Sequence, residues 1–155
     1  MLQSKTTKKI LITGASGFIG SQLLNSLKEY QMIGVSRNVR SDSYPNLLKC
    51  DLTNQNELNT LIQDIEPDII YHFAALTNPK INEESPDQAR SLNSGITKNL
   101  IETIDLCKTH LIFLSTDKVF NGDESNPDEL SVTEPLWLYG KEKYECEKLI
   151  QERVL

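Results

Sequence analysis

The chain has 155 residues, 38% of them hydrophobic and 25% charged, with a net charge of −6. That is the length of one domain with a core of its own, and the composition of a folded chain, not a disordered one. An acidic chain without a basic run is not built to neutralise nucleic-acid phosphates or to lie on an anionic membrane surface, and no apolar run approaches the ~20 residues of a membrane span.

Apolar and polar stretches alternate along the chain. Lys9 to Thr13 reads as a short buried strand, and Phe18 to Tyr30 as a helix with Ile19, Leu23, Leu24 and Leu27 on one face. Met32 to Val35 and Leu47 to Cys50 read as the next two strands. Gln55 to Ile65 is a helix closed by Pro67, and Asp68 to Ala74 a fourth strand around Ile69 and Ile70. Pro86 to Lys108 is a long helix, His110 to Leu114 a fifth strand, and Ser115 to Leu138 mostly loop, rich in Asn, Asp, Pro and Gly. Tyr139 to Val154 is the last helix. Strands alternating with helices predict βαβ crossovers and an α/β, Rossmann-like, doubly wound parallel sheet of five strands. Ligands of such sheets sit beyond the carboxyl ends of the strands, so the chemistry is sought there.

Gly14-Ala15-Ser16-Gly17-Phe18-Ile19-Gly20 joins the first strand to the first helix. Glycines permit a tight turn and close approach of a pyrophosphate, and the helix N-terminus supplies unpaired N–H groups. The spacing is GxxGxxG. At the end of the second strand, where a ribose-reading acid is expected, stand Ser36 and Arg37. A carboxylate there repels a 2′-phosphate; serine and arginine attract it, which favours NADP over NAD, although Arg37 also reads as a solvated surface side chain. Asp51, in Cys50-Asp51-Leu52-Thr53, reads equally as an acceptor for the adenine amine and as the cap of the helix that follows.

Tyr139 and Lys143 lie four residues apart on one helix face. A lysine cation ~4 Å from the phenol, at an effective dielectric of ~20, favours phenolate by up to ~4 kcal/mol, with desolvation opposing. The pair gains weight from Ser115-Thr116-Asp117 at the end of the fifth strand, where a hydroxyl can meet a substrate carbonyl, although these residues also suit a strand-ending turn. His72 reads as a core or near-cofactor residue and His110 as a surface one. Two histidines and three widely spaced cysteines, Cys50, Cys107 and Cys146, suggest neither a metal site nor a disulfide framework, and place the chain in the reducing cytoplasm. The start of the chain is too polar for a secretory leader.

Taken together, GASGFIG, DLTN at Asp51 to Asn54, HFAALT at His72 to Thr77, STDKVFNG at Ser115 to Gly122 and YGKEK at Tyr139 to Lys143 resemble the extended short-chain dehydrogenase/reductases over nearly the whole chain. Within them the chain looks most like dTDP-4-dehydrorhamnose reductases and related sugar-nucleotide proteins. The resemblance implies NAD(P)-dependent reduction of a nucleotide-linked keto-sugar. It implies catalytic roles for Thr116, Tyr139 and Lys143, and for Asn93 beside a proton-relay water. Cofactor contacts carried over in the same way are Gly14, Ser16, Gly17, Phe18, Ile19, Gly20, Ser36, Arg37, Asp51, Leu52, Ala74, Ala75, Thr77, Tyr139 and Lys143. Lys118, Trp137, Glu142 and Cys146 depart from the pattern, and Glu142 is expected to offset the charge of Lys143.

Such proteins continue into a sugar-binding region. Residues 1–155 are therefore expected to be the NAD(P)-binding Rossmann domain of a longer protein, with the substrate domain absent. Self-association through the long helices is expected. Two other functions stay open: an epimerase or dehydratase of the same family, and a non-catalytic nucleotide-binding or regulatory protein.

Overall fold

The computed structural model of the chain describes residues 7–27, 29–39 and 45–154. Lys28, inside the first expected helix, and the extreme N-terminal stretch, read as too polar for a leader, lie outside the described residues. The chain divides into two compact units, Met1–Ala74 with Thr103–Phe113, and Ala75–Glu102 with Leu114–Leu155.

The first unit is built on one parallel sheet. Its strands are β1 Lys9–Thr13, β2 Gln31–Ser36, β3 Leu47–Lys49, β4 Ile69–His72 and β5 His110–Phe113, in the order β3-β2-β1-β4-β5. This is the α/β, Rossmann-like architecture expected from the alternation. β1 is central, and Ile10, Leu11 and Ile12 are all buried, so both faces of the strand are covered. Each such side chain contributes about 2 kcal/mol of burial. On one face Ile10 and Ile12 join Ala15, Leu24, Met32 and Leu47 in a single cluster.

Helix α1, Phe18–Ser26, follows β1 and ends a turn before the expected Tyr30. Asn25 and Ser26 turn their side chains back onto the carbonyls of Ser21 (2.7 Å) and Leu23 (3.0 Å), which competes with continuing the helix. Helix α2, Gln55–Ile65, has the expected bounds. Asn54 caps it by accepting from the N–H groups of Asn56 and Glu57, and Glu66 leaves it in the left-handed region at φ 49°. β4 is shorter than the expected Asp68 to Ala74, because its flanks bond elsewhere. The Asp68 carboxylate takes the Lys9 N–H at 2.8 Å, and the Phe73 and Ala74 N–H groups turn to Thr13 Oγ1 at 3.2 Å.

The second unit is helical. α3, Pro79–Glu84, was not expected, though Asn78-Pro79 is a cap-and-first-turn signal; the Asn78 side chain accepts from Ile81 N–H. The expected helix from Pro86 to Lys108 is three consecutive pieces: α4 Pro86–Arg90, a π-helical stretch Ser91–Gly95, and α5 Ile96–Thr103, whose last residue belongs to the first unit. It stops at Thr103 because Asp105 starts a turn, its side chain taking the Cys107 N–H and its carbonyl those of Lys108 and Thr109. The loop from Ser115 is interrupted by a 3-10 turn, Asp117–Val119, capped by Thr116. α6, Leu138–Val154, is the last helix. No helix among the described residues is long and apolar enough to cross a membrane.

Candidate functional site

In the first unit the chain runs out from β1 to one side through β2 and β3, then crosses to β4 and β5 on the other. The order reverses between β1 and β4, and the crevice beyond the carboxyl ends there is where an open sheet of this kind holds a ligand. Gly14 follows β1 directly. It has φ +67°, and a Cβ on it would stand 2.8 Å from Ala74 N, so only glycine fits between the two strand ends. Gly20 is equally constrained, since its Cβ would lie 2.5 Å from Gly14 O. Gly17 differs. Its backbone is extended at φ −78°, ψ 173°, and a Cβ would meet only Gly14 O at 3.2 Å. Its lack of a side chain matters mainly for what approaches from outside. Ser16, Gly17, Phe18 and Ile19 are exposed around it.

Thr13 and His72 pin the crevice. Thr13 Oγ1 lies 2.7 Å from His72 Nδ1 and accepts from the N–H groups of Phe73 and Ala74. With both lone pairs of the hydroxyl taken, its proton points to Nδ1, which makes His72 an acceptor there and places the ring proton on Nε2. Both residues are fully buried, so His72 is a core residue whose bond sets the path of Phe73-Ala74.

At the end of β2, Ser36 Oγ donates to Asn38 O at 3.1 Å and stands 2.8 Å from Ser16 Oγ. Two cofactor candidates from separate motifs are thereby joined. Arg37, beside them, is exposed. Asp51 follows β3, its Oδ1 accepting from Thr53 N (3.0 Å) and Thr53 Oγ1 (2.7 Å). These bonds, with Arg37 as a smaller contributor, hold its carboxyl below the ordinary range. Asp51 therefore builds the turn before α2 and does not cap the helix, which is the role of Asn54. Leu52 is buried. Burial, with Glu57 and Asp51 alongside, pushes the Cys50 thiol up to about 11, so it is inert at neutral pH.

The second unit holds the remaining candidates. Tyr139 and Lys143 project from the first turns of α6. Lys143 is buried, and its ammonium donates to Leu114 O at 2.8 Å. Burial lowers its pKa, against the pull of Cys146 and Glu147. The Tyr139 phenol is raised, by burial first and then by the charges of Asp117 and Cys146. This reverses the direction expected from the YxxxK spacing, because burial and Asp117 act on the phenol in a way that sequence spacing does not report. Thr116 Oγ1 donates to Asp117 Oδ1 at 3.1 Å and accepts from Lys118 N at 3.3 Å, while Ser115 Oγ donates to Glu147.

Glu142 does not oppose Lys143 as expected. Buried on α6, it accepts from Ser94 Oγ and pairs with Arg90 Nε at 3.5 Å, so its charge is directed to the α4 and π-helical segment. Gly140, on the same helix, is required by packing: a Cβ would sit 2.1 Å from Lys118 O.

Asn93 is buried in the π-helical stretch. Its Oδ1 takes the Leu76 N–H at 2.7 Å and its Nδ2 donates to Asn82 Oδ1 at 3.0 Å. Its carbonyl accepts from Thr97 Oγ1 at 3.0 Å. Asn82 was not among the sequence candidates, and a lone Asn inside KINEES carries no signal that would have raised it. Ala75 is half-buried and Thr77 exposed, on either side of Leu76. Among the described residues no cluster of His, Cys, Asp and Glu is able to hold a metal ion.

The family model described as the RmlD substrate binding domain matches residues 8–155. The chain belongs to this family of extended short-chain dehydrogenase/reductases. It is 32% identical over 149 residues to methionine adenosyltransferase 2 subunit beta of Rattus norvegicus, covering 96% of this chain and 44% of that protein. It is 29% identical over 146 residues to dTDP-4-dehydrorhamnose reductase of Aggregatibacter actinomycetemcomitans, 92% of this chain and 46% of that one. Among solved structures, dTDP-4-dehydrorhamnose reductase from Bacillus anthracis in complex with NADP superposes with a TM-score of 0.82 at 31% identity, over 94% of this chain and 50% of that one. The chain spans about half the length of the relatives it matches.

Proposed function

We propose that this chain is the NADP(H)-binding part of a family member that works as a nucleotide-binding subunit of a larger assembly, not as a free-standing reductase. The observation that carries the subunit reading is the 32% identity, over 96% of the chain, to a protein named as a subunit of methionine adenosyltransferase. The dinucleotide reading is supported by the exposed turn at Gly17, where a Cβ would meet only Gly14 O and a ligand has room to approach the backbone. Gly14 to Gly20 would hold the pyrophosphate on the N-terminus of α1, and Ser36 with Arg37 the 2′-phosphate. Asp51, Leu52, Ala74, Ala75 and Thr77 are the further contacts we assign. When bound, the cofactor supplies a hydride. Of the residues that would use it, the Tyr139 phenol is made a weaker acid by burial and by Asp117, and the ammonium of Lys143 is engaged by Leu114 O. Three cysteines in no disulfide suit the cytoplasm.

A second reading keeps the reductase. Its support is the presence of Thr116, Tyr139 and Lys143 together in one unit, with Asn93. In that reading Tyr139 would protonate the alkoxide of a nucleotide-linked keto-sugar, Thr116 would hydrogen-bond it, and Lys143 would hold the ribose. An epimerase or dehydratase would use the same groups and return the hydride.

The test takes the full-length protein. Calorimetry should show tighter binding of NADPH than of NADH. Mixing with methionine adenosyltransferase, followed by light scattering, should show a mixed complex in place of the homodimer expected from the long helices alone. Incubation with dTDP-4-dehydrorhamnose and NADPH should show no turnover. Turnover that disappears in Tyr139→Phe would establish the reductase and overturn the subunit reading. Conversion of a sugar nucleotide without net cofactor oxidation would point to the epimerase or dehydratase instead.

A further inference from the structure

Within the second unit, a cavity of about 400 Å³ lies between the run of α4, π-helical stretch and α5 on one side and α6 on the other. Arg90, Ser91, Gly95 and Lys98 line the first wall, Glu145 and Leu149 the second. Ser91, Gly95 and Lys98 follow one another at spacings of four and three, and Glu145 and Leu149 at four, so each set shares a helix face. π-Helical turns are rare and occur often at functional sites. None of these residues belongs to the group of Asn93, Thr116, Tyr139 and Lys143.

The donors on the first wall are unfilled. Lys98 has no ion pair, and Ser91 no side-chain hydrogen bond, among the described residues. The Arg90 guanidinium stands 3.5 Å from Glu142 and 3.6 Å from Asp87, distances that balance its charge without filling its N–H groups. Gly95 adds main chain with no side chain over it. On the second wall Glu145 is exposed and pairs with Lys148, three residues on, at 2.8 Å. Exposed pairs of this kind are weak and readily exchanged. Leu149 is half-buried and supplies the apolar surface.

The two walls carry opposite charges, and this selects the ligand. A simple anion would be repelled by Glu145, and a simple cation by Arg90 and Lys98. A small molecule with both charges on a short frame satisfies both walls, and an apolar body on it suits Leu149. We propose that this cavity binds a free α-amino acid with an apolar side chain. Lys98, Ser91 and Arg90 take its carboxylate, Glu145 takes its ammonium in place of Lys148, and Leu149 meets its side chain. The volume lies within the range of small-molecule sites. The site stands within one unit and is independent of the NADP(H) reading.

The experiment titrates the full-length protein, labelled with nitrogen-15, with L-leucine. Leucinamide, which lacks the carboxylate, and 4-methylpentanoate, which lacks the ammonium, are the controls. Leucine should shift the amide resonances of Gly95, Lys98 and Glu145, and each control should bind about tenfold more weakly or less, the effect of losing one charge-assisted set of hydrogen bonds. Lys98→Met and Glu145→Gln change exposed side chains, so both variants should melt close to wild type. Lys98→Met should bind leucine about tenfold more weakly and lose most of its preference over leucinamide. Glu145→Gln should do the same against 4-methylpentanoate. Absence of shifts at these three amides, equal binding of leucine and either control, or wild-type leucine affinity in either variant would overturn the proposal.

Discussion

Ser16 Oγ and Ser36 Oγ lie 2.8 Å apart, joining the glycine-rich turn to the end of β2 across 20 residues of sequence. Ser36 spends its proton on Asn38 O, so Ser16 is the donor between the two hydroxyls. An arriving phosphate monoester would meet two hydroxyls already oriented toward each other, with the Arg37 guanidinium next in the chain. Arg37→Ala should therefore weaken NADPH by about 1.5–3 kcal/mol, roughly ten- to a hundredfold, and leave NADH nearly unchanged. Parallel calorimetric titrations measure it; equal losses for both cofactors would remove Arg37 from the 2′-phosphate site.

The three glycines of the turn should separate into two classes. Gly14→Ala forces a Cβ to 2.8 Å from Ala74 N at φ +67°, and Gly20→Ala forces one to 2.5 Å from Gly14 O. Both should lower the melting temperature, with a cost of about 2 kcal/mol or more. Gly17→Val should melt close to wild type and lose binding of NADPH and NADH alike, because its side chain stands in the way of the ligand. Melting curves beside titrations separate the classes, and a Gly17→Val chain with normal binding would place the pyrophosphate elsewhere.

Thr13→Val keeps the shape of the side chain and removes its oxygen. The bond to His72 Nδ1 and the Oγ1 contacts of the Phe73 and Ala74 N–H groups are lost together. The Phe73 N–H keeps the Thr13 main-chain carbonyl at 3.3 Å, so the loss falls on the His72 and Ala74 contacts and should cost about 2 kcal/mol in sum. Urea denaturation should show it as a lower midpoint at unchanged slope; a loss within 0.5 kcal/mol, roughly the scatter of surface substitutions, would mean the bond is dispensable.

The Tyr139 phenol should titrate above its ordinary value of 10.0 in the cofactor-free chain, because burial and Asp117 both favour the neutral form. A group whose pKa is higher folded than unfolded keeps its proton longer in the fold. Its stabilisation is complete below pH 10.0 and is lost as pH rises through the folded value. Asp117→Asn should bring the phenol down. The difference in near-ultraviolet phenolate absorbance between the chain and Tyr139→Phe follows this one residue. A midpoint below 10 would restore Lys143 as the dominant influence.

Local signals determined much of this protein. Buried strands such as Lys9 to Thr13, the α2 bounds Gln55–Ile65, and the order of strands and helices are written in short-range periodicity, glycine spacing and proline stops, which act within a few residues. Family membership was legible for the same reason, since GASGFIG and YGKEK are contiguous strings. Only the tertiary structure decided what those residues do to one another. Whether Lys143 lowers the Tyr139 phenol depends on burial and on Asp117, which the four-residue spacing does not contain. Glu142 turned from Lys143 to Ser94 and Arg90, and Asp51 ceded the cap to Asn54, because hydrogen-bond partners are chosen in space. Asn82, meeting Leu76 and Asn93 through a folded loop, had no local pattern to announce it.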